Sequence, residues 1–196
     1  MDESSQLRMV LASASPRRRG LLVEAGYTFE VVPPDVDESS FPTASPSPQR
    51  HAERLALAKA RDVAPRYPEA LVIGADTLVD FDGEIIGKPR DAADAGRITR
   101  KLFSAPHKVI TGLALVRLST GTQIVRSDVT TVYPRRMTDG QINEHIAGGS
   151  WQDKAGAYAI QETGDAFVER IEGSLTNVMG LPMELLRDLL DNLCGK

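Results

Sequence analysis

Met9-Val10-Leu11-Ala12 is a short apolar run that predicts a strand. Ser13-Ala14-Ser15-Pro16 follows as a loop ending in a capping serine, with proline at the first helical position. The helix it opens extends to about Ala25, where Gly26 supplies a stop. Tyr27 to Val32 reads as a second strand, and the Pro-, Ser- and Asp-rich stretch Pro33 to Pro48 as a long loop. A second helix starts near Ser47-Pro48 and runs to about Ala64, with Ala52, Leu55, Ala56, Ala60 and Val63 at helical spacing as its buried stripe. Two strands, Leu71 to Asp80 and Glu84 to Gly87, meet at Asp82-Gly83, a strong hairpin signal. Asp91 caps a short helix to about Leu102, and a second hairpin pairs Lys108 to Leu118 with Gln123 to Val132 around Thr120-Gly121. Thr138 and Gln141 make a capping box for a helix to Ile146, broken by Gly148-Gly149-Ser150. A last strand spans Ala166 to Ile171, and Pro182 opens a leucine-rich C-terminal helix. Helices interspersed with strands and hairpins predict an α/β fold, a mixed sheet flanked by helices.

Composition narrows the class. The 196 residues suit one domain, or two lobes sharing a sheet. A formal charge of −4 disfavours nucleic acid and anionic membranes as partners, so any anion must be held by local groups. The single Cys194 excludes an internal disulfide framework and fits a reducing compartment. No signal peptide is visible, and apolar runs such as Ala70 to Ala75 are far too short to span a bilayer. The expectation is a cytoplasmic domain.

Three places break local rules. Arg17-Arg18-Arg19 put cations into the opening turn of a helix, where the macrodipole already presents positive charge. Free N–H groups at the same turn, with Ser13 and Ser15, would resolve the conflict by binding a polyanion; the plainer reading is a solvated basic turn. Lys59 sits on the buried stripe, between Leu55 and Val63, and must either snorkel outward or meet an anion in a cleft. Asp76 lies among apolar strand residues in Gly74-Ala75-Asp76-Thr77 and needs a cation, a metal or hydrogen-bond donors. The hairpin offers Lys88: a three-residue loop sets Asp76 opposite it, a two-residue loop sets Thr77 there.

Other features carry less alone. Asp35, Asp37 and Glu38 read either as loop solvation or as ligands for a hard cation. His107 reads as a structural hydrogen-bonding group; Trp151 and Tyr158 could frame a base but default to core packing. Gly87-Lys88-Pro89 lacks the remaining residues of a Walker A loop.

Taken in order, Leu11-Ala-Ser-Ala-Ser-Pro-Arg-Arg18, Asp37-Glu38, Leu57-Ala-Lys-Ala60 and Ile73-Gly-Ala-Asp-Thr77 resemble the Maf family of nucleotide pyrophosphatases. Gly87-Lys-Pro89, His107 to Gly112, Asp153 to Tyr158 with Ile160-Gln161, and Asn177 to Pro182 continue the resemblance, from about Met9 to Leu190. It implies one domain of two lobes around a cleft, and hydrolysis between the α- and β-phosphates with Mg2+ or Mn2+. It implies Asp76 as proton acceptor, Ser13, Arg18, Lys59 and Lys88 as phosphate contacts, and Glu38 with Asp76 at the metal. Arg17, Thr77 and Gln161 match the branch acting on dTTP and UTP rather than the branch associated with 7-methyl-GTP. Gly149-Ser-Trp-Gln-Asp153 and Leu175 depart from the usual pattern and bear on fine preference. The resemblance also suggests a homodimer. The competing readings are a pyrophosphatase for other modified nucleotides, such as 7-methyl-GTP, and a nucleotide-binding regulator of cell division without turnover.

Overall fold

The computed structural model describes residues 7–41, 47–152, 154–158, 160 and 167–195. Its strands are β1 (Met9–Ala12), β2 (Phe29–Val31), β3 (Leu71–Phe81), β4 (Glu84–Ile86), β5 (His107–Arg117), β6 (Thr122–Pro134) and β7 (Val168–Glu172). Its helices are α1 (Pro16–Glu24), α2 (Pro48–Val63), α3 (Ala92–Leu102), α4 (Asp139–Ala147), α5 (Leu175–Met179) and α6 (Met183–Cys194), with 3-10 turns at Glu38–Ser40, Ala64–Arg66 and Ala155–Ala157.

The helix starts follow local chemistry. Ser15, Ser47 and Asp91 lie in extended backbone, and each accepts a hydrogen bond from the amide three residues on. Thr138 and Gln141 form the expected capping box. Boundaries shift by a few residues elsewhere: α1 stops at Glu24, β2 is shorter than Tyr27 to Val32, β6 runs on to Pro134, and Pro182 caps α6 rather than joining it. The 3-10 turn at Glu38–Ser40 and α5 are absent from the sequence reading, because three and five residues are too few for a periodic signal to build.

The sheet is mixed and seven-stranded, ordered β2-β1-β3-β5-β6-β7, with β4 also paired to β3. β1 runs parallel to β2 and β3, and every other pairing is antiparallel. The consequence for function lies along one edge of β3. β1 pairs with Leu71 to Gly74 and β4 with Val79 to Phe81, while β5 covers the opposite edge from Val72 to Asp80. Between β1 and β4, the edge at Ala75 to Leu78 has no strand beside it among the described residues. The sheet is split there, and the split opens a cleft.

One face carries α1 and α6 over Leu11, Leu71, Ile73, Leu113 and Leu115, continuing into a second cluster of Val79, Ile98, Leu102, Val109 and Tyr158 under α3. The other face carries α2, whose Ala56, Ala60 and Val63 pack on Val10, Val72 and Ala114. This helix lies unusually close to the strands. A Cβ at Gly74 would stand 2.2 Å from the Ala56 carbonyl oxygen, and one at Gly112 would stand 2.3 Å from that of Ala52. Both glycines therefore let helix backbone rest on strand backbone, which draws Lys59 down onto the sheet beside Asp76. No helix among the described residues is long and apolar enough to cross a membrane.

Candidate active site

The cleft in the split sheet has a volume of about 1020 Å³. Ser13, Arg17, Arg18, Glu38, Lys59, Asp76, Thr77 and Lys88 all line it. Gln161, the remaining residue expected at the site, lies outside the described residues.

Asp76 and Thr77 alternate along β3 and point to opposite faces, and because the edge is open both reach the same cavity. On the α2 face, Lys59 Nζ stands 2.6 Å from Asp76 Oδ1 and 2.8 Å from Glu38 Oε1. Lys59 and Asp76 are buried, with 8% and 7% of their surfaces exposed, and the ion pair between them offsets the cost of burying both. Lys59 thus meets carboxylates in the cleft rather than snorkelling outward. Glu38 is half exposed; burial works to raise its pKa, but the Lys59 hydrogen bond and the charges of Lys59, Lys88 and Arg18 carry it below its ordinary value. Asp37 turns out to be structural: its Oδ1 accepts from the Ser39 amide at 3.0 Å and caps the turn that presents Glu38.

On the opposite face, Arg18 donates from Nε to the Gly180 carbonyl at 2.7 Å, from Nη1 to Ser13 Oγ at 3.2 Å and from Nη2 to Thr77 Oγ1 at 3.1 Å. Burial pulls its pKa below the ordinary value, Asp76 opposes that, and the neighbouring Arg17 adds to it. An anion in the cleft would favour its charged form. Ser13 is buried and accepts twice, from Arg18 and from the Ser15 amide at 3.1 Å, so its own proton is left to donate. In the first turn of α1, Pro16 has no N–H and Arg18 N–H is used by Ser15, leaving the Arg17 amide as a free donor among the described residues. The basic turn is therefore not merely solvated. Arg18 points inward, Arg17 borders the cleft, and only Arg19 of the three is exposed.

The hairpin register is settled as well. Val79 pairs with Ile86 and Phe81 with Glu84 across a two-residue Asp82-Gly83 turn, with φ of 52° and 85°. Such primed turns match the strand twist and require both residues at positive φ. Continued along the hairpin, this register sets Thr77, not Asp76, opposite Lys88, and the cation paired to Asp76 is Lys59.

Several participants carried no assigned role in the sequence reading. His51 is buried, borders the cleft from α2, and its ring has no hydrogen-bond partner among the described residues. Thr111 and Asn177 are fully buried behind Thr77, and the Gly180 carbonyl reaches Arg18 from 162 positions away. Thr111, Asn177 and Gly180 all fall within the segments that carry the family resemblance, which assigned them no role. His107 is the structural group expected: Nδ1 meets the Leu102 carbonyl at 3.2 Å and Nε2 meets the Tyr158 hydroxyl at 2.9 Å, and burial lowers its pKa to about 4. Trp151 donates to the Ile146 carbonyl at 2.9 Å and packs in the α3 cluster, whereas Tyr158 belongs to that core and also borders the cleft.

A family profile described as Maf-like protein matches residues 8–193. The chain belongs to the Maf family. Among curated Maf relatives, the dTTP/UTP pyrophosphatase of Elusimicrobium minutum is 44% identical over 184 residues, 94% of this chain and 97% of that one. The dTTP/UTP pyrophosphatase of Citrifermentans bemidjiense is 48% identical over 175 residues, 89% of this chain and 90% of that one. Among solved structures, the Ham1 protein of Staphylococcus aureus aligns with a TM-score of 0.54 at 14% identity, covering 94% of this chain and 98% of its own. The Ham1 protein of Coxiella burnetii gives the same score and identity, over 95% of this chain and 100% of its own. At that identity the likeness speaks to the fold, and it agrees with the mixed α/β sheet of this Maf chain.

Proposed function

We propose that this protein hydrolyses dTTP and UTP to the nucleoside monophosphate and pyrophosphate. The observation that carries the reading is the buried Asp76–Lys59 pair, set at the unpaired stretch of β3 in a cleft that Arg17, Arg18 and Lys88 also line. A binding module for a polyanion has no use for a buried carboxylate beside its cations; a hydrolase does. The names of the relatives supply the substrate.

The triphosphate lies across the start of α1, its charge offset by Arg17, Arg18, Lys59 and Lys88, with the Ser13 hydroxyl and the Arg17 amide as further donors. Such preorganised charge provides most of the catalysis in phosphoryl chemistry. Asp76 Oδ1 is engaged by Lys59, while its second oxygen has no protein partner among the described residues. That oxygen takes the proton of the attacking water. The water oxygen bonds to the α-phosphorus, the bridge to the β-phosphate breaks, and pyrophosphate leaves.

Glu38 and Asp76 suit a hard divalent cation. Both carboxylates come within ion-pair distance of one nitrogen, and each keeps an oxygen without a protein partner. No group of three or more acidic, His or Cys ligands occurs among the described residues, so phosphate oxygens and water would complete the shell, as is usual for magnesium. When bound, Mg2+ or Mn2+ would polarise the α-phosphate. Preference for pyrimidines rests on Arg17, Thr77 and Gln161. The same reading extends to a cytoplasmic homodimer, which sedimentation of the purified chain would test.

A panel of nucleotides incubated with Mg2+ or Mn2+, with products resolved by chromatography, tests the proposal. Monophosphate and pyrophosphate from dTTP and UTP are expected, and Asp76→Asn should abolish both while leaving the far-UV spectrum unchanged. Faster turnover of 7-methyl-GTP would overturn the substrate. Binding without turnover would overturn the reaction.

A further inference from the structure

Thr111 does not border the cleft and is completely buried, yet its hydroxyl lies 2.9 Å from that of Thr77. The direction of this bond follows from proton counting. A hydroxyl has a single proton, and Thr111 donates its own to the Asn177 carbonyl at 2.9 Å. Thr111 therefore accepts from Thr77. With its proton so committed, Thr77 turns its lone pairs to Arg18, whose Nη2 donates to it at 3.1 Å. Every link points one way, from the Arg18 guanidinium through two hydroxyls to a backbone carbonyl.

The far end of the relay is held firmly. Asn177 Nδ2 donates to the Val109 carbonyl at 3.0 Å and to Thr130 Oγ1 at 2.9 Å, and its amide donates to Ser174 Oγ at 3.1 Å. The same short helix, α5, ends at Gly180, whose φ of 112° aims its carbonyl at Arg18 Nε. α5 thus grips Arg18 twice, once directly and once through Thr111 and Thr77. Ser13 makes a third hold, so three of the five N–H groups of the guanidinium are fixed and two are left for an anion.

We infer that Thr111, backed by Asn177, is a positioning residue for phosphate binding: it polarises Thr77 so that Arg18 keeps one orientation in the cleft. This rests on the reading that Arg18 meets the substrate phosphates. Thr77 then acts on catalysis through Arg18 and not only through any contact of its own with the nucleotide. Removing the Thr111 hydroxyl frees the Thr77 proton to turn to the Gly180 carbonyl, 3.4 Å away, where it competes with Arg18 Nε. One change loosens two of the three holds.

The test compares Thr111→Val with Thr111→Ser, by affinity for inorganic triphosphate in a calorimeter and by kcat/KM on dTTP. Thr111→Val should lose about tenfold in both, the scale of one hydrogen bond, and Thr111→Ser should return to within about threefold of the parent. In an Arg18→Lys background, which has no fork to orient, Thr111→Val should cost less than about threefold. Thr111→Ala removes the same hydroxyl should the valine variant not fold. An equal loss in both backgrounds, a serine variant as impaired as the valine, or unchanged affinity in Thr111→Val would overturn the inference. So would a parent protein that does not bind triphosphate. A parent that binds triphosphate but turns over no nucleotide would defeat the pyrophosphatase reading, while the affinity series would still decide the relay.

Discussion

Replacing Lys59 with methionine keeps most of the apolar stem of the side chain and removes its ammonium group. The ammonium stands 2.6 Å from Asp76 and 2.8 Å from Glu38, with side-chain exposures of 9%, 10% and 51% in the same order. Glu38 can turn to water once its partner is gone. Asp76, far less exposed, has much less access to water, and no other ion pair to it exists among the described residues. Breaking a buried pair by deleting one partner costs about 3–5 kcal/mol, because a charge is left without compensation. This pair sits at the wall of an open cleft, where water offsets part of the loss, so about 2–3 kcal/mol is expected. That is a sizeable fraction of the ~5–15 kcal/mol typical of a whole domain. The deficit should belong to the orphaned carboxylate and not to lost packing. Lys59→Met with Asp76→Asn removes both charges of the pair and should recover to within about 1 kcal/mol of the parent. Urea unfolding followed by circular dichroism reads all four proteins, with equal m-values confirming comparable transitions. A cost below about 1 kcal/mol for Lys59→Met, or single-variant costs that simply add, would refute the argument that the two side chains depend on each other.

Two further predictions follow from the fold. Gly112→Ala would set its methyl 2.3 Å from the Ala52 carbonyl oxygen and must displace α2; a loss of about 1–3 kcal/mol, or roughly 2–12 °C in Tm, should accompany reduced turnover as Lys59 leaves Asp76. Gly20→Ala, with nothing within 4 Å of the added carbon, is the control, and equal melting of both variants would sink the close-packing account. His107 is held neutral by burial down to about pH 4, whereas the unfolded chain takes up this proton near pH 6.5. Between these values the unfolded state binds more protons, so stability falls as pH falls, by up to about 3 kcal/mol when the window is crossed. Melting temperature against pH should show this slope in the parent and a shallower one in His107→Asn; identical slopes would clear His107 of the effect.

Sequence revealed what is local. Ser15, Ser47, Asp91 and Thr138 each announce a helix start because the cap and its acceptor amide lie three residues apart. Arg17-Arg18-Arg19, Lys59 and Asp76 drew attention because each violates a local rule, and all except the outward Arg19 line the cleft. Pairing was harder to read. The hairpin left two registers open because Phe81-Asp82-Gly83 and Asp82-Gly83 are both chemically sound turns, and backbone twist decided between them. One partner of Arg18 was beyond reach: a carbonyl has no side chain to betray it, and Gly180 lies 162 residues downstream. Thr111 was hidden for a similar reason, since a threonine inside a β-strand is ordinary until its neighbours on β3 and α5 are known.

The split along β3 has a mechanical side. β1 and β4 are both stitched to one continuous strand, so the two sides of the cleft share a spine. Opening or closing the mouth then means twisting β3 itself, and its other edge is clamped by β5 for nine consecutive residue pairs, from Val72 to Asp80. The gape is geared to the coil of the sheet. β6 and β7 line no part of the cleft yet continue the same sheet outward from β5, so substitutions there should change the fit of the mouth while every residue lining it stays the same.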